Sequence, residues 1–252
     1  MNVKEIIKKS IDGCLRHTIG HRAVHSTLCL DRTTDVLWQL RHKGFCPRCI
    51  VDVGAAQGWW ARECSGIWPD AKFLMVDPLI ENEMHLKDAV QNIGEVLSHY
   101  WTGALGNRDG EAEFFVHADQ SSLFDSEWIA DRSEKRTVPL KRLDTLLEEI
   151  GFRGVDFLKL DVQGAELDVL AGGMDALRCL QVVQCEVSFR HFYQNAPLAH
   201  EVISFFSNQG FRILDISDTI KGKDRALLQA DIFFSRNETL FGCEQWTLDS
   251  VG

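Results

Sequence analysis

The fold of this chain is decided by one stretch of sequence, Ile50-Val51-Asp52-Val53-Gly54-Ala55-Ala56-Gln57-Gly58-Trp59-Trp60. A short apolar run with β-branched residues, followed by Gly-x-x-x-Gly, predicts a buried strand, a tight turn and then a helix. Gly54 can adopt a positive φ, and both glycines allow a ligand or the helix to approach the backbone closely. Because the first N–H groups of that helix lack intrahelical partners, they would face an anionic part of a nucleotide-like ligand. At least one of Trp59 and Trp60 should pack between helix and sheet, and the sequence leaves open whether the other touches substrate.

Composition and charge indicate an ordinary globular domain. The chain has 252 residues, of which 45% are hydrophobic and 25% charged, enough for one sizeable core. Its formal net charge of −10 gives no general attraction to nucleic acid or to anionic membranes, so neither is an expected partner. The N-terminus lacks an apolar signal-peptide core, and no run reaches the ~18 apolar residues of a membrane span. We therefore expect a cytoplasmic protein with reduced cysteines.

Residues 1–45 are predicted to form a helical cap, placed before a ligand-binding domain that takes residues 46–252. The cap is amphipathic, with apolar side chains recurring at helical spacing. His17, His21 and His25 are spaced by four, but Gly20 interrupts the pattern and no carboxylate has matching spacing. Solvated or substrate-facing histidines are therefore favoured over a metal site.

Strands and helices alternate along the rest of the chain. Strands are predicted at 73–76, around 99–104, and at 155–160, 180–185, 211–216 and 230–234, with a β-ribbon inserted between about 111 and 140. A polar loop joins the last two strands, so these should pair antiparallel. The pattern predicts an α/β fold whose ligands bind beyond the carboxyl ends of a mostly parallel sheet.

Three acidic residues, Asp77, Asp161 and Glu186, fall at predicted strand ends. Asp77 follows Gly58 by about 20 positions, the spacing at which doubly wound folds place an acid that accepts ribose hydroxyls. Carboxylates grouped on one rim are costly to desolvate unless they face water, cations or polar ligand groups. Ala56 replaces the middle glycine of the dinucleotide pattern, and S-adenosylmethionine is a cationic ligand without a pyrophosphate. The residues therefore favour S-adenosylmethionine, with an NAD-dependent enzyme as the alternative.

Further short motifs follow in order along the chain: Val51 to Gly58, Asp77-Pro78, Ala104-Leu105-Gly106, Ser121-Ser122-Leu123, Val138-Pro139-Leu140 and Phe157 to Glu166. Together they resemble the FkbM family of S-adenosylmethionine-dependent methyltransferases. The resemblance implies a class I methyltransferase (Rossmann-like) fold, with a seven-stranded, mostly parallel sheet and an antiparallel last strand. It also implies O-methylation of a hydroxyl group, usually on a sugar or natural product. A non-catalytic protein that only binds S-adenosylmethionine is an alternative of another class.

The resemblance assigns cofactor binding to Asp52, Gly54, Ala55, Gln57, Gly58, Asp77, Pro78, Ala104, Leu105, Ser122 and Asp161. Within this set the loop from Gly54 to Gly58, called the glycine loop below, would line the methionine end of the cofactor through Gly54, Ala55 and Gly58, and Asp77 would bind its ribose. Ala104 and Leu105 would lie near the adenine, while Ser122 and Asp161 would approach the sulfonium. Gln57 and Asp77 stand where the family often has Asn and Glu, and both keep the required donor or acceptor.

Catalysis is assigned to Asp161, Glu186 and His191, which lie near the ends of the fourth and fifth main strands. In-line methyl transfer needs the acceptor held about 3 Å from the methyl carbon, and an alcohol must also lose its proton. His191 or Asp161 is favoured as general base, and for His191 a surface or aromatic-packed position is an equally weighted alternative. Mg²⁺ between Asp161 and Glu186 is the metal-assisted version. For Glu166, interaction with the helix dipole is a sufficient explanation. The expected partner is a small hydroxylated substrate, and a homodimer is one option for the oligomeric state.

Overall fold

The computed structural model describes residues 32–117, 121–126 and 134–241. Those ranges contain ten strands: β1 (Cys49–Val53), β2 (Lys72–Asp77), β3 (Ser98–Thr102), β4 (Ala104–Leu105), β5 (Gly110–Val116), β6 (Glu134–Lys141), β7 (Phe157–Leu160), β8 (Val182–Ser188), β9 (Arg212–Lys221) and β10 (Leu227–Ser235). They also contain seven α-helices: α1 (Thr33–His42), α2 (Trp59–Ile67), α3 (Glu83–Ile93), α4 (Leu143–Glu149), α5 (Glu166–Ala171), α6 (Met174–Cys179) and α7 (Ala199–Asn208).

Seven strands form the main sheet in the order β3-β2-β1-β7-β8-β10-β9. The pairs within the first five strands are parallel, whereas β10 runs antiparallel to both β8 and β9. Every residue of the central strand β1 is buried, as expected for a parallel strand covered on both faces. The predicted class I methyltransferase sheet, mostly parallel with an antiparallel last strand, is confirmed.

Helices cover both faces of the main sheet, and each face has its own core. Helices α4, α5, α6 and α7 pack on one face, where the rings of Phe206 and Phe234 stack at 4.3 Å. Helices α1, α2 and α3 pack on the other, where Phe157 makes edge-to-face contacts with Phe45 and Trp60. Because burying one large apolar side chain contributes about 1.5–3 kcal/mol, these two layers hold the carboxyl ends of the strands in fixed positions.

A second, three-stranded sheet with the order β4-β6-β5 corresponds to the predicted β-ribbon. Strands β5 and β6 pair antiparallel, and β4 joins β6 in parallel through Ala104 and Leu140. A small apolar cluster of Ala104, Phe114, Val138 and Leu140 supports this sheet. The ribbon therefore continues directly from the edge of the main sheet next to β3.

The structure differs from the sequence prediction at two places, the end of β8 and the segment after α5. Strand β8 extends to Ser188, so Glu186 lies inside the strand, because its antiparallel partner Asp231 continues the ladder past the predicted end. After α5, Gly172 and Gly173 are followed by a further helix, α6, which the sequence did not predict. A Cβ on Gly172 would lie 2.0 Å from the carbonyl oxygen of Gly106, so this corner requires glycine.

The described part of the predicted N-terminal cap is helix α1, which buries Val36, Leu37 and Leu40 in the core shared with α2 and α3. The rest of the predicted cap, including His17 and its two neighbours in the histidine pattern, lies outside the described residues. Within the described ranges, no helix is both long enough and apolar enough to cross a membrane.

Candidate active site

A cavity of about 690 Å³ opens at the carboxyl ends of β1, β2 and β7, between the loops that follow these strands and the second sheet. Its volume is within the usual range for a small-molecule site. Eight residues of the predicted cofactor set line it: Gly54, Ala55, Gln57, Asp77, Pro78, Ala104, Leu105 and Asp161. The other three, Asp52, Gly58 and Ser122, do not line the cavity and have different contacts.

The glycine loop is shaped by close backbone contacts. A Cβ on Gly54, which has a φ of 78°, would lie 1.8 Å from the carbonyl oxygen of Asp161, so only glycine lets the loops after β1 and β7 meet. A Cβ on Gly58 would lie 2.8 Å from the Cβ of Ala89, which places this glycine at the packing of α2 on α3. Gly58 is also the N-cap of α2, where no side chain caps the free N–H groups.

Asp77 is a buried residue whose carboxylate holds the glycine loop. Its Oδ2 accepts a hydrogen bond from the backbone N–H of Ala56 at 2.8 Å. Its Oδ1 accepts from the N–H of Leu79 and from the side-chain amide of Asn82. Burial raises the pKa of Asp77, and these three hydrogen bonds oppose the rise. Asp77 thus lines the cavity, where it was predicted to bind the ribose. The same carboxylate also holds the backbone of Ala56, which has a φ of 45°.

Gln163 joins the two acidic residues that the sequence predicted to be catalytic. Its Nε2 donates to Oδ1 of Asp161 at 3.0 Å and to Oε2 of Glu186 at 2.7 Å. Its Oε1 accepts from the hydroxyl of Tyr193 at 3.0 Å, and its carbonyl accepts from Oγ of Ser122 at 2.6 Å. Ser122 is therefore a buried support for Gln163. No role for Gln163 was predicted from the sequence, although it lies within the motif from Phe157 to Glu166.

Lys159 is a second residue of the site that the sequence analysis did not assign. Its Nζ lies 3.3 Å from Oδ2 of Asp161 and 3.5 Å from Oδ1 of Asp52. Burial by itself lowers the pKa of Lys159, but Asp161, Asp52 and Asp231 outweigh it and raise the pKa above the ordinary value, so the side chain carries a charge. Asp52 is 1% exposed, and burial raises its pKa against the opposing effect of Lys159. Asp52 thus lies behind Lys159 instead of at the cavity wall.

Next to Lys159 and Asp161, two further acidic residues, Glu186 and Asp231, lie opposite each other on the paired strands β8 and β10. Burial is the main cause that raises the pKa of Glu186 well above its ordinary value, and the negative charges of Asp161 and Asp231 raise it further. Burial also raises the pKa of Asp231 to about 6, although Lys159 and a hydrogen bond from Thr33 lower it. Asp231 is a further polar residue of this region that was not predicted from the sequence, since its neighbours from Ala230 to Phe234 are apolar.

The predicted catalytic residues have unequal positions. Asp161 lines the cavity, and Glu186 reaches it only through Gln163. His191 is exposed in the loop after β8 and does not line the cavity. The side chain of Glu166 is buried and accepts from the N–H of Gly164 at 2.9 Å, so it has a structural partner beyond the helix dipole. Burial raises the pKa of Glu166 to about 7.

The donor set does not fit the predicted Mg²⁺ site. An amide N–H of Gln163 occupies the position between Asp161 and Glu186, and the ammonium group of Lys159 faces the other oxygen of Asp161. In the part of the chain that the structure describes, no group of three or more His, Cys, Asp or Glu residues is arranged to hold a metal ion. Mg²⁺ prefers six oxygen ligands, and two hydrogen-bond donors aimed at these carboxylates exclude that arrangement here.

The two tryptophans at the start of α2 have different surroundings. Trp60 packs on Phe157 with ring centroids 5.3 Å apart, and its Nε1 donates to Oε1 of Gln184 at 2.9 Å. Trp59 is 69% exposed and lines the cavity. Trp60 therefore packs between helix and sheet, as predicted, and also borders the cavity, whereas Trp59 lines the cavity with most of its side chain exposed.

Comparison with known proteins gives a family for this site. A model described as the Methyltransferase FkbM domain matches residues 52–213. The 2-O-methyltransferase NoeI of Sinorhizobium fredii is 25% identical over 159 residues, which cover 58% of this chain and 65% of NoeI. The AMB antimetabolite synthetase AmbE of Pseudomonas aeruginosa is 34% identical over 96 residues, which cover 37% of this chain and 4% of AmbE. The chain thus spans less than two thirds of the length of either relative.

Among solved structures, that of cofactor-bound Rv0187 from MTB has a TM-score of 0.49 and 11% sequence identity, covering 90% of this chain and 96% of that protein. The family itself rests on the sequence model, whose match includes the glycine loop, Asp77, Lys159 and Asp161. This match covers more than half of the residues of the chain, and the chain therefore belongs to the FkbM methyltransferase family.

Proposed function

We propose that this chain is an S-adenosylmethionine-dependent O-methyltransferase that modifies a hydroxyl group of a sugar or another small natural product. The observation that carries the proposal is the position of Asp161, a polar carboxylate at the wall of the cavity beside the glycine loop. The name of NoeI, a 2-O-methyltransferase, supports oxygen as the acceptor atom. The net charge of −10 supports a small acceptor over nucleic acid.

The cavity residues fit S-adenosylmethionine as the methyl donor. The uncapped N-terminus of α2 and the glycine loop suit the methionine carboxylate, because free backbone N–H groups bind anions. Asp161 suits the cationic end of the cofactor. The apolar side chains of Leu79, Leu105 and Phe114 suit the adenine ring. Asp77 remains our candidate for the ribose hydroxyls, since its carboxylate oxygens have capacity for further donors.

When bound, S-adenosylmethionine supplies a methyl group on a sulfonium, which is open to in-line attack. The acceptor hydroxyl would have to give up its proton in that reaction, and Asp161 at the cavity wall is the residue that would accept it. Gln163 and Lys159 hold Asp161 from two sides, so its carboxylate can meet the acceptor in one orientation. We assign the general base to Asp161 instead of His191, because His191 lies outside the cavity lining.

Three measurements test this function. Calorimetric titration should show S-adenosylmethionine binding and no binding of NAD; the reverse result would replace the methyl donor with a dinucleotide. A labelled-methyl screen against glycosides and hydroxylated natural products should then yield a product. Asp161→Asn should lower turnover about 100-fold, and because Asp161 also faces the cationic end of the cofactor, it should weaken S-adenosylmethionine binding as well. Binding without transfer to any acceptor would favour the non-catalytic role.

Metal removal separates the base mechanism from the metal-assisted one. Because the donors on Asp161 and Glu186 leave no place for Mg²⁺, exhaustive treatment with EDTA should leave methyl transfer undiminished. Loss of activity that added Mg²⁺ restores would contradict the proton transfer to Asp161 described above.

A further inference from the structure

Lys159 is buried at the base of the cavity and is surrounded by acidic groups from three elements. Asp52 reaches it from β1, Asp161 from the loop after β7, and Asp231 acts on it from β10. From α2, the ring of Trp60 covers its ammonium group at 6.0 Å. The ammonium group therefore has one defined position, with the cavity wall formed by Asp161 on one side.

Among the residues that the structure describes, no polar partner of Asp52 other than Lys159 explains its burial. Neither of its side-chain oxygens makes a hydrogen bond within the described residues, and only the Nζ of Lys159 lies within ion-pair distance. The two residues are directly opposite in the register of β1 and β7. A buried ion pair contributes little net stability, and an apolar pair of similar volume often serves the fold as well or better. The fold alone therefore does not account for this pair.

We infer that Lys159 is a positioning residue: its ammonium group, held by Asp52 on the neighbouring strand, orients the carboxylate of Asp161 towards the acceptor. This inference rests on the proposed function. Lys159 contacts Oδ2 of Asp161 while Gln163 contacts Oδ1, so each oxygen of the carboxylate has one fixed donor. Two donors on opposite oxygens hold the plane of a carboxylate, whereas one donor leaves it free to rotate.

The test replaces the pair with apolar residues. Lys159→Met alone leaves Asp52 as an unpaired buried charge, so this variant should have a much lower free energy of unfolding than the unmodified protein. The double variant Asp52→Leu/Lys159→Met removes both charges, so it should fold with a melting temperature near or above that of the unmodified protein. Its kcat for methyl transfer should fall about 100-fold, as expected for a misplaced catalytic group, while its affinity for S-adenosylmethionine stays within about 3-fold. Lys159→Arg, which keeps the charge and Asp52, should recover part of the loss.

Asp156→Asn is the matched control. Asp156 is a buried carboxylate beside β1 and β7 that accepts from the N–H groups of Arg48 and Cys49, and it does not line the cavity. Its removal should lower stability and leave kcat unchanged. A double variant with full kcat would overturn the inference while leaving the proposed function intact.

A crystal structure of the double variant provides a readout that needs no activity. The carboxylate of Asp161 should keep its contact with Gln163 through Oδ1, and its plane should rotate so that Oδ2 leaves the position it has beside Lys159. An unmoved carboxylate would refute the positioning role even if no acceptor is known. Failure of the unmodified protein to bind S-adenosylmethionine would instead count against the proposed function.

Discussion

Gln163 has a φ of 53°, a left-handed conformation that costs a non-glycine residue about 1–3 kcal/mol. Its contacts with Ser122 and Tyr193 offset this cost and aim its amide at Asp161 and Glu186. Strain of this kind persists where surrounding contacts over-determine a residue, which is common at functional sites. At this scale the site is a set of side chains each fixed by more than one partner.

Trp59 is the exception among these side chains, because most of it is exposed and it lies at the cavity wall. If it stacks on the acceptor, Trp59→Leu should raise the acceptor KM about 3- to 10-fold with little effect on kcat or on cofactor affinity. Trp59→Phe should retain most of the affinity, since it keeps an aromatic face. Initial-rate kinetics with the acceptor found in the methyl screen would measure this.

Val96→Ala is the control for that change, because Val96 is 86% exposed and does not line the cavity. Its kinetic constants should match those of the unmodified protein. An acceptor KM that is the same in Trp59→Leu and Val96→Ala would contradict a contact between Trp59 and the acceptor.

Among the elements, the glycine loop follows β1 and packs directly against the loop after β7. Gly54→Ala should prevent this approach, since its Cβ would lie 1.8 Å from the carbonyl oxygen of Asp161 and Gly54 also has a positive φ. We expect a loss of at least about 2 kcal/mol in the free energy of unfolding and loss of S-adenosylmethionine binding. Denaturant unfolding and calorimetry measure the two effects.

Gly66→Ala provides the comparison within the adjoining helix α2. A Cβ at Gly66 meets nothing within 4 Å, and its φ is not positive, so alanine should be neutral or stabilise by up to about 1 kcal/mol. Equal behaviour of the two alanine variants would show that the close approach at Gly54 is not required.

Helix α1 is connected to the far end of the sheet through Thr33. The Oγ1 of Thr33 shares hydrogen bonds with Oγ of Ser217 at 2.9 Å and with Oδ2 of Asp231 at 3.1 Å. Thr33→Val keeps the shape but leaves these buried groups short of a partner, so the free energy of unfolding should fall by about 1–3 kcal/mol. Thr137→Val, at an exposed position of β6, should change it by less than about 0.5 kcal/mol. A similar loss in both variants would contradict a specific role for Thr33.

For the whole molecule, buried carboxyl groups set how stability depends on pH. Burial raises the pKa of Glu166 from 4.5 to about 7, so the unfolded chain releases this proton at lower pH than the folded protein does. The free energy of unfolding should therefore fall as pH rises from about 4.5 to about 7, by up to about 3 kcal/mol for this group. Above about pH 7 Glu166 is ionised in both states, so it causes no further change in the free energy of unfolding. Asp231, with its pKa raised to about 6, acts in the same direction at lower pH.

Urea unfolding at several pH values, compared between the unmodified protein and Glu166→Gln, isolates the contribution of Glu166. The variant should show a smaller fall in stability between pH 4.5 and 7, because Gln can still accept from the N–H of Gly164 and does not titrate. Parallel curves for the two proteins would show that Glu166 titrates alike in the folded and unfolded states.

The order of elements and much of the cavity could be predicted from sequence, because these features depend on local pattern. Alternating apolar strands and helices specify the parallel sheet, and the glycine loop and Asp161 fall at strand ends that parallel pairing must bring to one edge. The polar loop before β10 likewise predicted its antiparallel pairing with β9. The family match follows from the same motifs.

Which side chains meet at that edge depends on how the strands pack in the folded chain. Asp52 and Lys159 are far apart in sequence, and they face each other because β7 lies beside β1 in a particular register. The same packing leaves Trp60 partly buried and Trp59 exposed. It also leaves His191 outside the cavity, while Gln163 joins Asp161 to Glu186. Local sequence sets the period of each element, whereas these contacts depend on strand order, register and loop geometry, which the chain acquires only by folding.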